Sequence, residues 1–214
     1  IESGSASLEK LALYMHRIDV SGERLLRLLN DLLDLAKLEA GKMEYDLKPA
    51  DMWQLATETV AEMDEVARRK GVEMVLPNRD TPCMVLGDAL RLRQVLHNLL
   101  SNAVKFTPSG GRVRIEFEAD QKLPDGRPAL RMSVVDAGAG VPEAELQSVF
   151  DKFVQSTSTK SGAGGTGLGL SICREIIEQH GGRIWLVNNP DVGATVHVLL
   201  PCAVDVASVG PIEG

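Results

Sequence analysis

The chain has 214 residues, of which 44% are apolar and 25% charged, and its 23 Lys and Arg against 30 Asp and Glu give a net charge of −7. This is the composition of an ordinary globular protein long enough for a real core, and its acidic balance excludes a broad nucleic-acid or anionic-membrane footprint. Its three cysteines, Cys83, Cys173 and Cys202, form no Cys-x-x-Cys pair, no run approaches the roughly 18 apolar residues of a membrane span, and no signal peptide opens the chain. Structural thiols in a reducing compartment are expected. The opening IESGSAS reads as a cut end, the chain being expected as an excised part of something longer.

Residues 8–38 are predicted as one helix. Leu11, Ile18, Leu25 and Leu32 recur every seven residues, and Met15, Gly22, Leu29 and Ala36 form a companion seam. That is a heptad stripe, widened by Leu26, Leu28, Leu33 and Leu35, as a helical bundle requires. Gly41 is the expected stop. MEYDL (43–47) reads as a short strand or extended connector. Pro49 and Asp51 are expected to open a helix reaching Lys70 and closed by Gly71. VEMVL (72–76) reads as a strand, and an amphipathic helix follows, capped by Asp88 and running to Phe106. RVRIEFEA and ALRMSVVDA are strands of a hairpin around DQKLPDGRP. A short helix is expected over 142–150, a Ser/Thr/Gly loop over 156–165 and a helix over 167–180. RIWLVN and ATVHVLL are the last strands, and the tail beyond Pro201 shows no element. A helical stretch therefore precedes an α/β part with a mostly antiparallel sheet and helices on one face.

Three stretches carry candidate chemistry. Residues 162–170 hold five glycines in nine positions just before a helix. Glycines let backbone N–H groups approach an anion, and the helix adds a positive end, so a polyphosphate fits, as does a plain flexible turn. In VVDAGAGVP, Asp136 ends a strand and is followed by Gly138 and Gly140. Its carboxylate can accept from an exocyclic amine while the glycines let a flat ring lie on the backbone; a tight capped turn is the alternative. In HNLLSNAVKFT, Asn98, Asn102 and Lys105 share one helix face at i, i+4 and i+7. Amide oxygens and a lysine suit a hydrated Mg²⁺ with phosphates. Val95, Leu96, Leu99, Leu100 and Val104 make the opposite, core face.

With FDKF between the last two in chain order, these stretches resemble the catalytic and ATP-binding domain of sensor histidine kinases: an N box (NLLSNAVKFT), a G1 box (DAGAG), an F box (FDKF) and a G2 box (GGTGLGL). The resemblance spans residues 8–200, and SGERLLRLLNDLLDLAKLEAGKM looks like the second helix of that family's dimerisation hairpin. It implies an α+β chain. Residues 1–41 would be a partial dimerisation helix of a helical hairpin or four-helix bundle. Residues 42–201 would be an ATP-binding α/β sandwich of the histidine-kinase, gyrase and heat-shock ATPase kind, and 202–214 a disordered tail. Asp136 would read the adenine amino group with Thr195. Asn102 would ligate Mg²⁺, Lys105 would reach the phosphates, and Phe106 would pack near the nucleoside with Gly138 and Gly140. Gly165, Thr166, Gly167, Leu168, Gly169 and Leu170 would cradle the phosphates. Residues 141–164, from Val141 and including Phe150 and Lys160, would form a mobile lid and its base. Catalytic roles fall to Asn98 and Lys105. Related ATPases place a glutamate at the position of Asn98 to activate water, and an amide has no such basicity, so transfer is favoured over hydrolysis.

No H box resembling SHELRTPL is present, and none of the four histidines fits one. His16 lacks the Glu, Arg and Thr-Pro that should follow. His97 is expected in core or rim packing, His180 as a cation on a helix C-terminus, and His197 as structural. Gln155 stands where some members place Arg or Lys after the F box, and Lys160 could compensate. The expected activity is that of a bacterial, cytoplasmic protein-histidine kinase fragment using ATP and Mg²⁺. Its implied partners are a response regulator receiver domain and a second copy in the full-length parent, which remains open to membrane attachment through upstream segments. No nucleic acid and no membrane contact are expected. The alternative is a sensory pseudokinase that holds nucleotide only as a switch.

Overall fold

The computed structural model describes residues 2–40, 42–157 and 166–203, and the chain divides into two compact units, Ile1–Met43 and Glu44–Gly214. The first unit is a single helix, α1 (Glu2–Glu39), which begins before the heptad stripe does. Its seam residues face solvent, Ile18 at 64% and Leu25 at 59% exposure, with Leu11, Met15, Leu29 and Leu32 also exposed.

The second unit runs β1 (Lys48–Asp51), α2 (Met52–Lys70), β2 (Glu73–Val75), β3 (Met84–Gly87), α3 (Ala89–Phe106), β4 (Arg112–Lys122), β5 (Pro128–Val135), α4 (Gly169–Gln179), β6 (Arg183–Asn188) and β7 (Ala194–Pro201). Five strands form a mixed sheet in the order β2-β4-β5-β7-β6, parallel only between β2 and β4. β1 and β3 make a separate antiparallel pair. The mixed, mostly antiparallel sheet and the helices on one of its faces match the expected class.

Each helix follows from its apolar spacing. Asp51 accepts the N–H groups of Trp53 and Gln54 to start α2, which buries Leu55, Ala56, Thr59, Met63 and Ala67 before Gly71 closes it. Asp88 accepts from Leu90 and Arg91 to start α3, and Leu92, Val95, Leu96, Leu99, Leu100, Ala103 and Val104 form its buried stripe. The Leu and Val side chains of that stripe, at about 1.5–3 kcal/mol each when fully buried, tie α3 to α2, α4 and β5.

Several expectations need correction. Of the two readings of MEYDL, the extended connector holds and the strand does not. The first strand is Lys48–Asp51 and includes Pro49, which a two-stranded edge pairing tolerates where a central strand would not. Asp51 alone caps α2. β3, between Cys83 and the cap of α3, is a further strand that the sequence did not announce. The helix expected over 142–150 is two 3₁₀ turns, Glu143–Glu145 and Ser148–Phe150, and α4 starts at Gly169, not Gly167. The chain beyond Pro201 does not loosen at once. Cys202 bridges to Val85, and the Ala203 N–H donates to the Met84 carbonyl. Of the expected loop over 156–165, Ser156 is buried and Thr157 is held by Glu145; positions 158–165 and the tail past 203 lie outside the described residues.

Candidate functional site

α3 presents the first wall. Asn98, Asn102 and Lys105 are half-buried along one side while the apolar stripe turns inward. The amide nitrogen of Asn98 is buried with no hydrogen-bond partner among the described residues. The Lys105 ammonium lies 4.8 Å from the centre of the Phe106 ring. The C-terminal end of this helix is held from outside: the Lys70 ammonium, at the end of α2, donates to the carbonyls of Val104 (2.7 Å) and Lys105.

The loop after β5 presents the second wall. Thr107, the residue that ends α3, is fully buried, and its hydroxyl accepts the Ala137 N–H at 3.3 Å. Gly138 lies against the same helix end: a Cβ built there would stand 3.2 Å from the Phe106 carbonyl oxygen and 2.9 Å from Asp136 Oδ1. Asp136 Oδ1 accepts two backbone N–H bonds, from Gly138 (2.8 Å) and Ala194 (3.1 Å). Burial raises the Asp136 carboxyl above its ordinary value, and those two bonds oppose the shift. Its second oxygen, Oδ2, accepts no bond from a described residue.

The start of α4 closes the third side. Gly169 faces the Asn98 carboxamide, whose atoms lie 3.8 to 4.0 Å from a Cβ built on that glycine. Gly167 has φ +72 and backs onto Phe153, whose N–H donates to the Gly167 carbonyl at 3.0 Å. Any side chain at Gly167 would collide with that backbone at 2.7 Å. The Thr166 hydroxyl accepts the Leu168 N–H at 3.0 Å, fixing the turn into the helix. The glycine turn and the loop that follows the acidic strand end therefore both pack on α3, one at Asn98 and the other at Phe106.

The remaining candidates divide. Gly140 and Val141 continue the Asp136 loop, and Leu170 is half-buried in the first turn of α4. Leu168 and Phe150 are core side chains, Phe150 only 4% exposed, so neither side chain lines an open surface. The Thr195 hydroxyl donates to Asn189 at 2.6 Å instead of facing outward. Lys160, Gly164 and Gly165 lie outside the described residues. His97, expected in packing, is exposed on α3. His180, expected as a cation, is buried and neutral. Its Nε2 accepts the Asp88 N–H at 2.9 Å, its Nδ1–H donates to the Ile176 carbonyl at 2.7 Å, and burial holds its pKa below the ordinary value. His197 pairs with the Ser133 hydroxyl at 2.8 Å beside the Trp185 ring. Lys70, Asn188 and Asn189 carry no motif and act on partners far along the chain, and Thr107 closes the N box with no role assigned to it from the sequence.

The family model for histidine kinase-, DNA gyrase B- and HSP90-like ATPases matches residues 87–204. The chain is 39% identical over 193 residues to the circadian input-output histidine kinase CikA of Synechococcus elongatus, a match covering 88% of this chain and 24% of CikA. The chain thus spans about a quarter of the length of the curated relatives it matches. Among solved structures, full-length ShkA in complex with AMPPNP is similar at a TM-score of 0.72 and 34% identity, over 86% of this chain and 37% of ShkA. The histidine kinase ThkA in complex with the response regulator protein TrrA is similar at a TM-score of 0.68 and 26% identity, over 87% of this chain and 50% of ThkA.

Proposed function

The chain belongs to the histidine kinase-, DNA gyrase B- and HSP90-like ATPase family, and from that premise we propose that it is the ATP-binding catalytic module of a sensor histidine kinase. It binds ATP with Mg²⁺ and transfers the γ-phosphoryl group to a histidine that this chain does not carry, for relay to a response regulator. The observation that supports this reading is that Gly169 lies against Asn98 and Gly138 against Phe106, so the glycine turn and the carboxylate loop both pack on the helix that carries the amide face.

The residues suit the nucleotide and its ion. A buried amide N–H without an acceptor costs about 1–3 kcal/mol, and a phosphate or water oxygen beside Asn98 would recover it. Asp136 offers Oδ2 to an exocyclic amine while its other oxygen is held by backbone, and Gly138 lets the loop pack against the end of α3, where a Cβ would crowd the Phe106 carbonyl at 3.2 Å. Asn102 would hold Mg²⁺, which neutralises phosphate charge when bound. Lys105 reaches toward the phosphates from the same face. The turn at 166–169 offers backbone N–H groups and the positive end of α4. Residues 141–164 act as the lid. Phosphoryl transfer asks for positioning and charge neutralisation more than for covalent chemistry, so no strong base is required. With an amide at position 98, water is not activated, which favours transfer over hydrolysis. In the longer parent, the exposed stripe of α1 pairs with a second copy.

Two substitutions test the site in one titration series with ATP and Mg²⁺. Asp136→Asn is expected to weaken ATP about tenfold, the loss of one charge-assisted bond. Asn102→Ala is expected to leave a residual affinity that no longer responds to Mg²⁺. If both variants bind like the parent, the site is misplaced.

A further inference from the structure

Two adjacent asparagines, Asn188 at the end of β6 and Asn189 in the turn that leads to β7, have amides that reach back across the chain to the loop after β5. Asn189 Nδ2 donates to the Asp136 carbonyl and to the Val192 carbonyl, each at 3.0 Å, and its Oδ1 accepts the Thr195 hydroxyl at 2.6 Å. The two carbonyl partners can only accept, so they fix which end of the amide is nitrogen, and the Thr195 hydroxyl is left to donate to the oxygen. The Asn189 N–H closes the turn on the Gly193 carbonyl at 2.9 Å. Gly193, at φ +90, is pressed so closely on Asp136 that a Cβ would lie 2.0 Å from that same carbonyl. One residue earlier, the Asn188 amide meets both backbone groups of Val141. Its Oδ1 accepts the Val141 N–H at 2.8 Å and its Nδ2 donates to the Val141 carbonyl at 2.7 Å, which imitates a strand pairing. A Cβ on Gly140 would stand 2.8 Å from that oxygen, so the fit leaves no slack.

We propose that Asn188 and Asn189 are positioning residues that pin the two ends of the loop 136–141. Asn189 fixes the Asp136 peptide and thereby sets discrimination for adenine, and Asn188 fixes the residue from which the lid departs. The proposal rests on the reading of Asp136 as the adenine acceptor. Neither amide touches the Asp136 carboxylate, whose Oδ1 is already held by Gly138 and Ala194. With that oxygen fixed, Oδ2 moves with the backbone at Asp136, whose peptide to Ala137 is held at its N–H by the Thr107 hydroxyl and at its carbonyl by Asn189. The two asparagines therefore differ in what they control: one acts on the base, the other on the cover.

Calorimetric titration of this chain with Mg²⁺–ATP and with Mg²⁺–ITP, which bears a carbonyl in place of the exocyclic amine, separates the two. Asn189→Ala should weaken ATP about tenfold and ITP by less than about twofold, collapsing the ratio of affinities. Asn189→Asp keeps the acceptor for Thr195 and loses both donors, so it should match the alanine variant, and it serves if the latter does not fold. Asn188→Ala should weaken both nucleotides by the same factor and speed hydrogen exchange of the Val141 amide. If the Asn189 variants leave the ratio unchanged while Asp136→Asn collapses it, the positioning role is wrong and the site stands. If Asp136→Asn also leaves the ratio unchanged, the adenine reading falls and the proposal with it.

Discussion

His180 shows how little a residue's place along a helix says about its charge. It sits at the end of α4, where a cation would meet the negative end of the helix dipole, yet both ring nitrogens are committed in a neutral pattern. Nε2 must stay unprotonated to accept from Asp88, the residue that caps α3, so this one ring ties the end of α4 to the start of the helix carrying the amide face. Tyr45 packs edge-on against it, with ring centroids 5.3 Å apart. Burial is the main cause of its lowered pKa, the hydrogen bond to the Ile176 carbonyl and the nearby Asp88 charge opposing it. A base that is harder to protonate when folded takes up its proton first in the unfolded chain. Its contribution to stability is therefore complete above the ordinary histidine value of 6.5 and is lost as pH falls through that value toward the folded-state pKa. His197 shifts in the same direction through burial and adds to the same slope. Urea unfolding should show stability dropping between pH 7.5 and 5.5. His180→Phe should lose about 1–3 kcal/mol at pH 7.5, because the Asp88 N–H is left without its buried acceptor, and should show a shallower pH slope.

The elements that could be read directly were those whose signal is local. α3 was legible because its apolar residues keep the helical period for 18 residues behind an Asp cap, and the β4–β5 hairpin because alternating strands flank Pro-Asp-Gly. β1 was not, because Pro49 argues against a strand until its edge position is known, and β3 is only four residues long. The pairing of Cys202 with Val85 escaped for a different reason: it joins positions more than a hundred residues apart, and nothing in either segment names its partner. Asn98, Asn102, Lys105, Asp136 and Gly169 were legible as candidates from their motifs, whereas Lys70 entered only as the last residue of a helix. It crosses instead to the last carbonyls of α3, where a cation satisfies acceptors that a helix terminus leaves open. Burial lowers its pKa, which the paired carbonyls make tolerable. Lys70→Met keeps the stem and removes the donor, so the unfolding free energy should fall by about 1–2 kcal/mol, and Lys70→Arg should restore part of it. An unchanged midpoint for the methionine variant would show the contact to be idle.

For the whole chain, the question is whether anything in it can receive a phosphoryl group. An acceptor imidazole must present a free nitrogen to the γ-phosphate with a group beside it to take or shield the proton. His180 is 4% exposed with both nitrogens engaged, and His197 has its Nδ1 held by Ser133 and its ring beside Trp185, centroids 5.0 Å apart. His97 is exposed on α3, one residue before the amide face, in the sequence Leu-His-Asn with no carboxylate neighbour along the chain. His16 stands in YMHRID, without the Glu, Arg and Thr-Pro of an H box, and its side chain lies outside the described residues. The proposed reading, donor machinery without an acceptor of its own, makes a specific forecast. Incubated with γ-labelled ATP and Mg²⁺, the chain should carry no acid-labile, base-stable label. Mixed with an acceptor helix hairpin from a related kinase, it should label that hairpin slowly. Asn102→Ala should abolish this transfer, whereas replacing all four histidines of this chain with glutamine in variants that retain the fold should leave it intact. A stable phosphohistidine on the chain alone would mean that one of the four is an acceptor after all, with His16 or His97 the place to look.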